Sequence, residues 1–259
     1  MLYLYYNTFV LILIHGGIKL NKIQLDNDTQ VSVVWYKNVS SKSFKNFYTP
    51  KWSELVNLLS DPVVSSDKYF RGSVVYGDIS NGVDDEGVEY EKYRNDNNVL
   101  YRDVLVLDYD DEDDLSMLHK SIKSELEGFA WFWHTTFRHT NESPRIRLYM
   151  PLSERINANE YRAYVRTIAQ KIACKIDSGS YEPSRAMALP VIKTEKHPFE
   201  FQYNDAAILD KSTLKEWAKL FNITIQTTSK PKFEKRDSSH WGRIAYGVEA
   251  VSYTHLRAH

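Results

Sequence analysis

The residues best placed to do chemistry are two aspartates that end an apolar run, residues 104–110 (VLVLDYD). In a strand, a two-residue period puts Val104, Val106, Asp108 and Asp110 on one face. The two carboxylates then stand about 6.5 Å apart along the chain. Carboxylates this near repel and raise each other's pKa unless a cation lies between them. A hard divalent ion such as Mg²⁺ is the natural partner, and a pair of ions roughly 3.5–4 Å apart suits phosphoryl chemistry. Polymerases, cyclases, nucleases and glycosyltransferases all use an Asp-x-Asp pair of this kind. The acids that follow, residues 111–114, read more simply as caps for the next helix, where negative charge favours the dipole.

The run is too apolar on both faces for a surface strand, so a central strand ending in acid is expected. Leu115, Leu118, Ile122 and Leu126 recur at helical spacing directly after it. A second strand, residues 130–136, leads to His139 and a turn at 141–144. Residues 145–150 alternate again, with Arg145, Arg147 and Tyr149 facing away from Ile146, Leu148 and Met150. Residues 159–176 form an amphipathic helix with a seam of Tyr161, Val165, Ile168, Ile172 and Ile176, closed by Asp177. Upstream, residues 30–36 (QVSVVWY) read as a strand, 52–59 as a short helix, Val74 and Val75 as part of a strand, and 78–98 as an exposed loop or hairpin. Downstream, a helix is expected from the box Thr213…Glu216. Residues 226–239 read as a linker. The order strand, helix, strand, strand, helix predicts an α+β fold with an RRM/ferredoxin-like antiparallel sheet and helices packed on it. No glycine-rich phosphate loop precedes a helix, which argues against a Walker-type or dinucleotide site.

Residues 134–152 (HTTFRHTNESPRIRLYMPL) and 176–190 (IDSGSYEPSRAMALP) extend the pattern. Together with the Asp-x-Asp pair they resemble the archaeo-eukaryotic primase superfamily, and within it the primase-polymerase domains of phage, plasmid and mobile-element replication proteins. The resemblance covers about residues 30–210. Its three motifs, an Asp-x-Asp at a strand end, a His after a second strand and a third acid, fall on Asp108 and Asp110, on His139 and on Asp177. It implies template-directed nucleotidyl transfer with two Mg²⁺ or Mn²⁺ ions held by Asp108, Asp110 and Asp177. It also implies that His139 contacts the nucleotide's triphosphate and that Arg145, Arg147 and Arg185 contact phosphate or template. Simpler roles exist for each. His139 suits a turn, Arg145 and Arg147 the solvent face of an edge strand, Arg185 an ion pair with Glu182, and Asp177 a helix end. Phe137, two before His139, stands where the family often has a small hydroxyl residue, with Arg138 next, which bears on the nucleotide contact. His134 reads as structural.

The whole chain has 259 residues, 42% hydrophobic and 14% aromatic, as an ordinary folded protein has, and this excludes disordered, collagen-like and disulfide-stapled classes. The net charge of −1 conceals a split. Residues 1–114 carry 11 basic and 19 acidic side chains, and residues 115–259 carry 22 and 15. Such a split suits a protein that handles cations at one place and a polyanion at another. The lone cysteine, Cys174, excludes an internal disulfide and a Cys-based zinc site, and points to a reducing, cytoplasmic setting.

Residues 1–19 read as an extension that is either a leader outside the protein proper, an edge strand or a membrane segment, 20–210 as the catalytic domain, and 211–250 as a helix and linker toward a missing C-terminal region. Residues 251–259 resemble translated sequencing adapter. The family's frequent downstream partner, a helicase module, would then lie beyond the truncation. The expected partners are single-stranded DNA template and nucleoside triphosphates, with no membrane. Two other functions use the same residues: a non-catalytic initiator that grips single-stranded DNA, and a metal-dependent nuclease.

Overall fold

The structure is a computed structural model that describes residues 22–110 and 114–226. The extension at residues 1–19, the acids at 111–113 and the linker and tail beyond 226 lie outside the described residues. In chain order the strands are β1 (Val33–Tyr36), β2 (Phe44–Tyr48), β3 (Val63–Val64), β4 (Ser73–Tyr76), β5 (Asp78–Ile79), β6 (Gly82–Val83), β7 (Glu89–Tyr90), β8 (Val99–Tyr109), β9 (Trp131–Thr135), β10 (Ile146–Ile156), β11 (Met187–Ala188), β12 (Val191–Ile192) and β13 (Phe201–Asn204). The α-helices are α1 (Trp52–Leu59), α2 (Leu115–Leu126), α3 (Ala158–Ile172) and α4 (Lys211–Leu220).

The fold mixes helices with antiparallel sheet. One sheet has five strands in the order β13-β9-β10-β8-β5, and a second has four in the order β11-β4-β1-β2. The run β8, α2, β9, β10, α3 is present as the sequence suggests, with β10 inserted between β8 and β9. The place on the free side of β8 is taken by β5, from upstream in the chain, and β13 extends the sheet beyond β9.

Strand β8 is apolar on both faces because both faces are covered. Leu105, Leu107 and Tyr109 pack with Leu118, Ile122 and Leu126 of α2 and Tyr161, Val165, Ile168 and Ile172 of α3. Val104 and Val106, with Phe132 and Tyr149, pack instead on Trp52, Leu55 and Leu59 of α1 and on Val33, Val74 and Tyr76 of the smaller sheet. The five-stranded sheet is therefore the middle layer of three. Its strand ends emerge between helices on one side and the smaller sheet on the other.

Local boundaries differ from the periodicity in three places. Strand β1 starts at Val33, and Gln30 lies outside it in an isolated bridge to Lys51. Helix α3 stops at Ala173, whose φ of 60° turns the chain left-handed, so Asp177 does not end it. Asp177 caps a 3₁₀ turn, Ser178–Tyr181, by accepting a hydrogen bond from the Gly179 N–H. Helix α4 begins before Thr213, because the Asp210 carboxylate accepts from both the N–H and the hydroxyl of Thr213 and so caps the helix itself. Leu214 of α4 lies in the same core as α3, so the compact unit includes this helix and runs past residue 210, to 226.

One buried acid lies away from the strand ends. Asp103 is 5% exposed; its Oδ2 accepts from the Ser32 N–H at 2.9 Å, and its Oδ1 has no partner. Burial is the main reason its carboxyl is pushed up from 3.8 to about 6. With the folded value above the unfolded one, the folded state holds its proton longer. Stability from this group is full below about pH 4 and is lost as pH rises through 6. Asp103→Asn is expected to flatten that slope and to raise stability at pH 7–8 by about 1–3 kcal/mol. Urea unfolding of both proteins at pH 5 and pH 8 checks it.

Candidate functional site

The Asp-x-Asp pair of β8 meets an Arg-x-Arg pair of β10. In the antiparallel ladder Arg147 stands opposite Asp108, and continuing that register puts Arg145 opposite Asp110. Because the two-residue period runs on both strands, all four side chains project from one face. The Arg147 guanidinium grips Asp108 as a fork, Nε to Oδ1 at 2.5 Å and Nη2 to Oδ2 at 3.1 Å. Its Nη1 donates to the Ala188 carbonyl of β11 at 2.9 Å. Both partners are buried. Burial alone would pull the guanidinium's pKa down, but the Asp108 carboxylate and the Tyr149 hydroxyl more than reverse this and hold it above its ordinary value. Arg145 pairs with Asp110 at 3.1 Å in a more open setting.

The third acid arrives from the 3₁₀ turn after α3. The Asp177 N–H donates to the Asp108 carbonyl at 2.8 Å, and the Asp108 N–H donates to the buried Ser180 hydroxyl at 2.9 Å. These bonds stitch the turn to the end of β8. Arg185 stands 3.6 Å from the Asp177 carboxylate and 3.5 Å from Glu182. Its guanidinium lies so close over Gly179 that a Cβ there would collide with it. Each of the three acids thus faces its own arginine. Among the described residues no group of three or more His, Cys, Asp or Glu side chains is arranged to hold a metal.

The acids still feel one another. The Asp110 carboxyl is pushed up, first by burial and then by Asp108, with Asp177 adding and Arg145 and Arg147 opposing. A cation beside Asp110 would relieve that repulsion. Asp110 is half-buried and its arginine partner partly exposed, so its oxygens are open to exchange. By this test Asp110, with the unused lone pairs of Asp108, suits a hard cation.

Asp108, Asp110, Arg145, Arg147 and Arg185 line one cavity of about 390 Å³. Asp177 and His139 are not among the lining residues. His139 is buried in the turn after β9; its Nδ1 accepts from the Arg145 N–H at 3.2 Å, and its Nε2 has no partner. Burial lowers its pKa, His197 adds to that and Glu200 opposes it. The structure therefore places His139 under the strand end, shaping the backbone at Arg145.

Among the lining residues not singled out as site residues from the sequence are Lys68, Arg94, Arg138 and His134. His134 is buried in the cavity wall, its Nε2 2.9 Å from the Tyr149 hydroxyl. Burial, with Arg147 adding, pushes its pKa down to about 3, so the imidazole is neutral. Opposite-signed pairs of equal spacing, DYD and RIR, were the available signal for the ladder. Nothing comparable marks the three loop cations. The helix-borne Arg162 and Arg166, by contrast, are engaged outside the cavity, Arg162 with Asp96 at 2.6 Å and Arg166 over the Tyr181 ring.

A family model, that of the VapE N-terminal domain, matches residues 17–220. The chain belongs to this family. The VapE-domain match spans the stretch whose motifs resemble primase-polymerase domains of phage and plasmid replication proteins. Comparison with curated proteins finds none that matches. Among solved structures, the AEP domain of the cyanophage S-2L primase-polymerase is similar at 11% identity and a TM-score of 0.39, over 82% of this VapE-type chain and 95% of that one. Among the described residues of the VapE domain, no helix is long and apolar enough to cross a membrane.

Proposed function

We propose that this chain is the primase-polymerase-type domain of a mobile element's replication protein, and that it carries out template-directed nucleotidyl transfer in the cytoplasm on a core of the archaeo-eukaryotic primase type. The observation that supports this reading best is the make-up of the cavity. Six cations (Lys68, Arg94, Arg138, Arg145, Arg147 and Arg185) and three carboxylates (Asp108, Asp110 and Glu182) share its lining. A site that must take a polyanionic chain together with hard cations needs both signs within reach.

Asp110 and Asp108, with Asp177 beside them, would hold Mg²⁺ or Mn²⁺. Such ions supply activation of a primer 3′-hydroxyl and charge neutralisation on the leaving pyrophosphate. The protein's own part is positional. Arg147 fixes the Asp108 carboxylate in one orientation, so that only its outer lone pairs face the cavity. Arg145 and Arg185 cover their acids in the absence of ligand and are free to turn to phosphate oxygens when cations take their place. The neutral His134 and the Tyr149 hydroxyl keep the floor beneath Arg147 hydrogen-bonded without adding charge.

A second reading, a non-catalytic domain that only grips single-stranded DNA, is favoured by one observation: all three acids are already matched by arginines. The two readings part in an assay of the full chain with single-stranded template, primed and unprimed, labelled nucleotides, and Mg²⁺, Mn²⁺ or EDTA. Extended products with either metal and none in EDTA are expected. A folded protein that binds template yet yields no product with either metal would establish the gripping role instead.

A further inference from the structure

The cavity cations fall into two sets. Arg145, Arg147 and Arg185 are each within ion-pair distance of an acid. Lys68, Arg94 and Arg138 line the same cavity, and among the described residues none of them has a carboxylate within 4.0 Å; Arg94 is instead turned to the Val39 carbonyl and the Tyr36 ring. Lys68 comes from the loop between β3 and β4, and Arg138 from the turn after β9, where it is exposed at the rim. The two loops are well separated in sequence, yet both deliver a cation to one cavity.

We propose that Lys68 and Arg138 form an anion subsite that takes the polyphosphate chain of a nucleotide, separate from the arginines that cover the acids. The proposal deepens the nucleotidyl-transfer reading, and it rests on that reading for the nucleotide itself. A half-buried ammonium has lost part of its hydration, and next to other cations it is favourable only when an anion joins it. The Lys68 ammonium shows this strain in its lowered pKa, caused first by burial and then by Arg147 and Arg138. The carboxylates Asp108 and Asp110 offset it only in part. A polyphosphate carries several charges and offers acceptors along its length, so it can span two cations delivered by two loops. Arg147 cannot serve instead, because its fork is committed to Asp108 and its remaining nitrogen to Ala188.

The test is binding of inorganic tripolyphosphate, of a non-hydrolysable nucleoside triphosphate and of a single-stranded oligonucleotide to the full chain, by calorimetry in EDTA and in Mg²⁺. The variants are Lys68→Met, Lys68→Arg and, as a control on the exposed face of α2, Lys120→Met. Circular dichroism checks folding. For both phosphate ligands Lys68→Met is expected to weaken binding about tenfold to a hundredfold, while Lys68→Arg and Lys120→Met stay within a few fold of the parent. Unchanged tripolyphosphate affinity in Lys68→Met overturns the proposal, and so does a parent protein that binds no polyphosphate. A loss confined to the oligonucleotide also overturns it, since the pair would then hold a nucleic-acid backbone. Lys68-dependent tripolyphosphate binding by a protein that makes no product would leave the subsite standing and remove the synthesis reading. Normal synthesis and nucleotide binding by Lys68→Met would do the reverse.

Discussion

Asp110→Asn is expected to leave the fold intact and to cut metal-dependent synthesis by about a thousandfold or more, several kcal/mol of transition-state stabilisation. Two features of the site make this the informative substitution. The Asp110 carboxyl is partly open and its pair with Arg145 is partly exposed, so losing that pair costs folding about 0–1 kcal/mol. The change also removes a charge that Asp108 and Asp177 oppose, as the raised pKa of Asp110 records. Melting temperature should therefore move little while product formation collapses. An Asp110→Asn protein that retains most of the synthesis would show that the chemistry does not depend on this carboxylate.

The second large effect is on stability. Asp108→Ala is expected to cost about 3–5 kcal/mol, because it strands the buried Arg147 guanidinium without its counter-charge. Thermal unfolding would show a fall on the order of 10 °C. Any loss of activity in that variant then mixes chemistry with unfolding, so a double substitution of Asp108 and Asp110 is a poor probe of either. Adding Arg147→Met to Asp108→Ala should recover much of the loss, since removing both members of a buried pair leaves no uncompensated charge. If the double variant is no more stable than Asp108→Ala alone, the pair is not what the single substitution breaks.

The central elements of this fold were legible from periodicity because β8 is apolar on both faces, β10 alternates, and α2 and α3 each carry a clear seam, whereas the second sheet that covers the other face was not. The face shared by Asp108 and Asp110 was legible for the same reason. What sequence could not supply was the register between strands. Whether Arg147 meets Asp108 or water depends on how β10 slides along β8, and a slip of one residue would turn the arginines to the opposite face. The same gap applies to Arg185: its ion pair with Glu182 is present, and Asp177 is a second acid partner that the sequence did not indicate. Lys68 and Arg138 were invisible because loop cations carry no periodic signal, and their meeting is a tertiary fact. At Asp177 the amphipathic pattern ran on to Ile176, which is buried without being helical, and so concealed the left-handed exit at Ala173.

The stitch between the end of β8 and the 3₁₀ turn also dictates the order in which this site is assembled. The Asp108 N–H and the Ser180 hydroxyl are 72 residues apart in sequence. The fork between Asp108 and Arg147 needs only the chain through β10, 39 residues on. A nascent chain that has emerged as far as β10 can therefore already pair the buried Asp108 with Arg147. Asp177 and Arg185 join only after α3 has formed and the longer loop has closed, a closure whose entropic cost grows slowly with length but must be met before the contacts reward it. The buried ion pair is early and local to the sheet, whereas the third acid is late, so ligand-binding competence should be the last property this domain acquires as it folds.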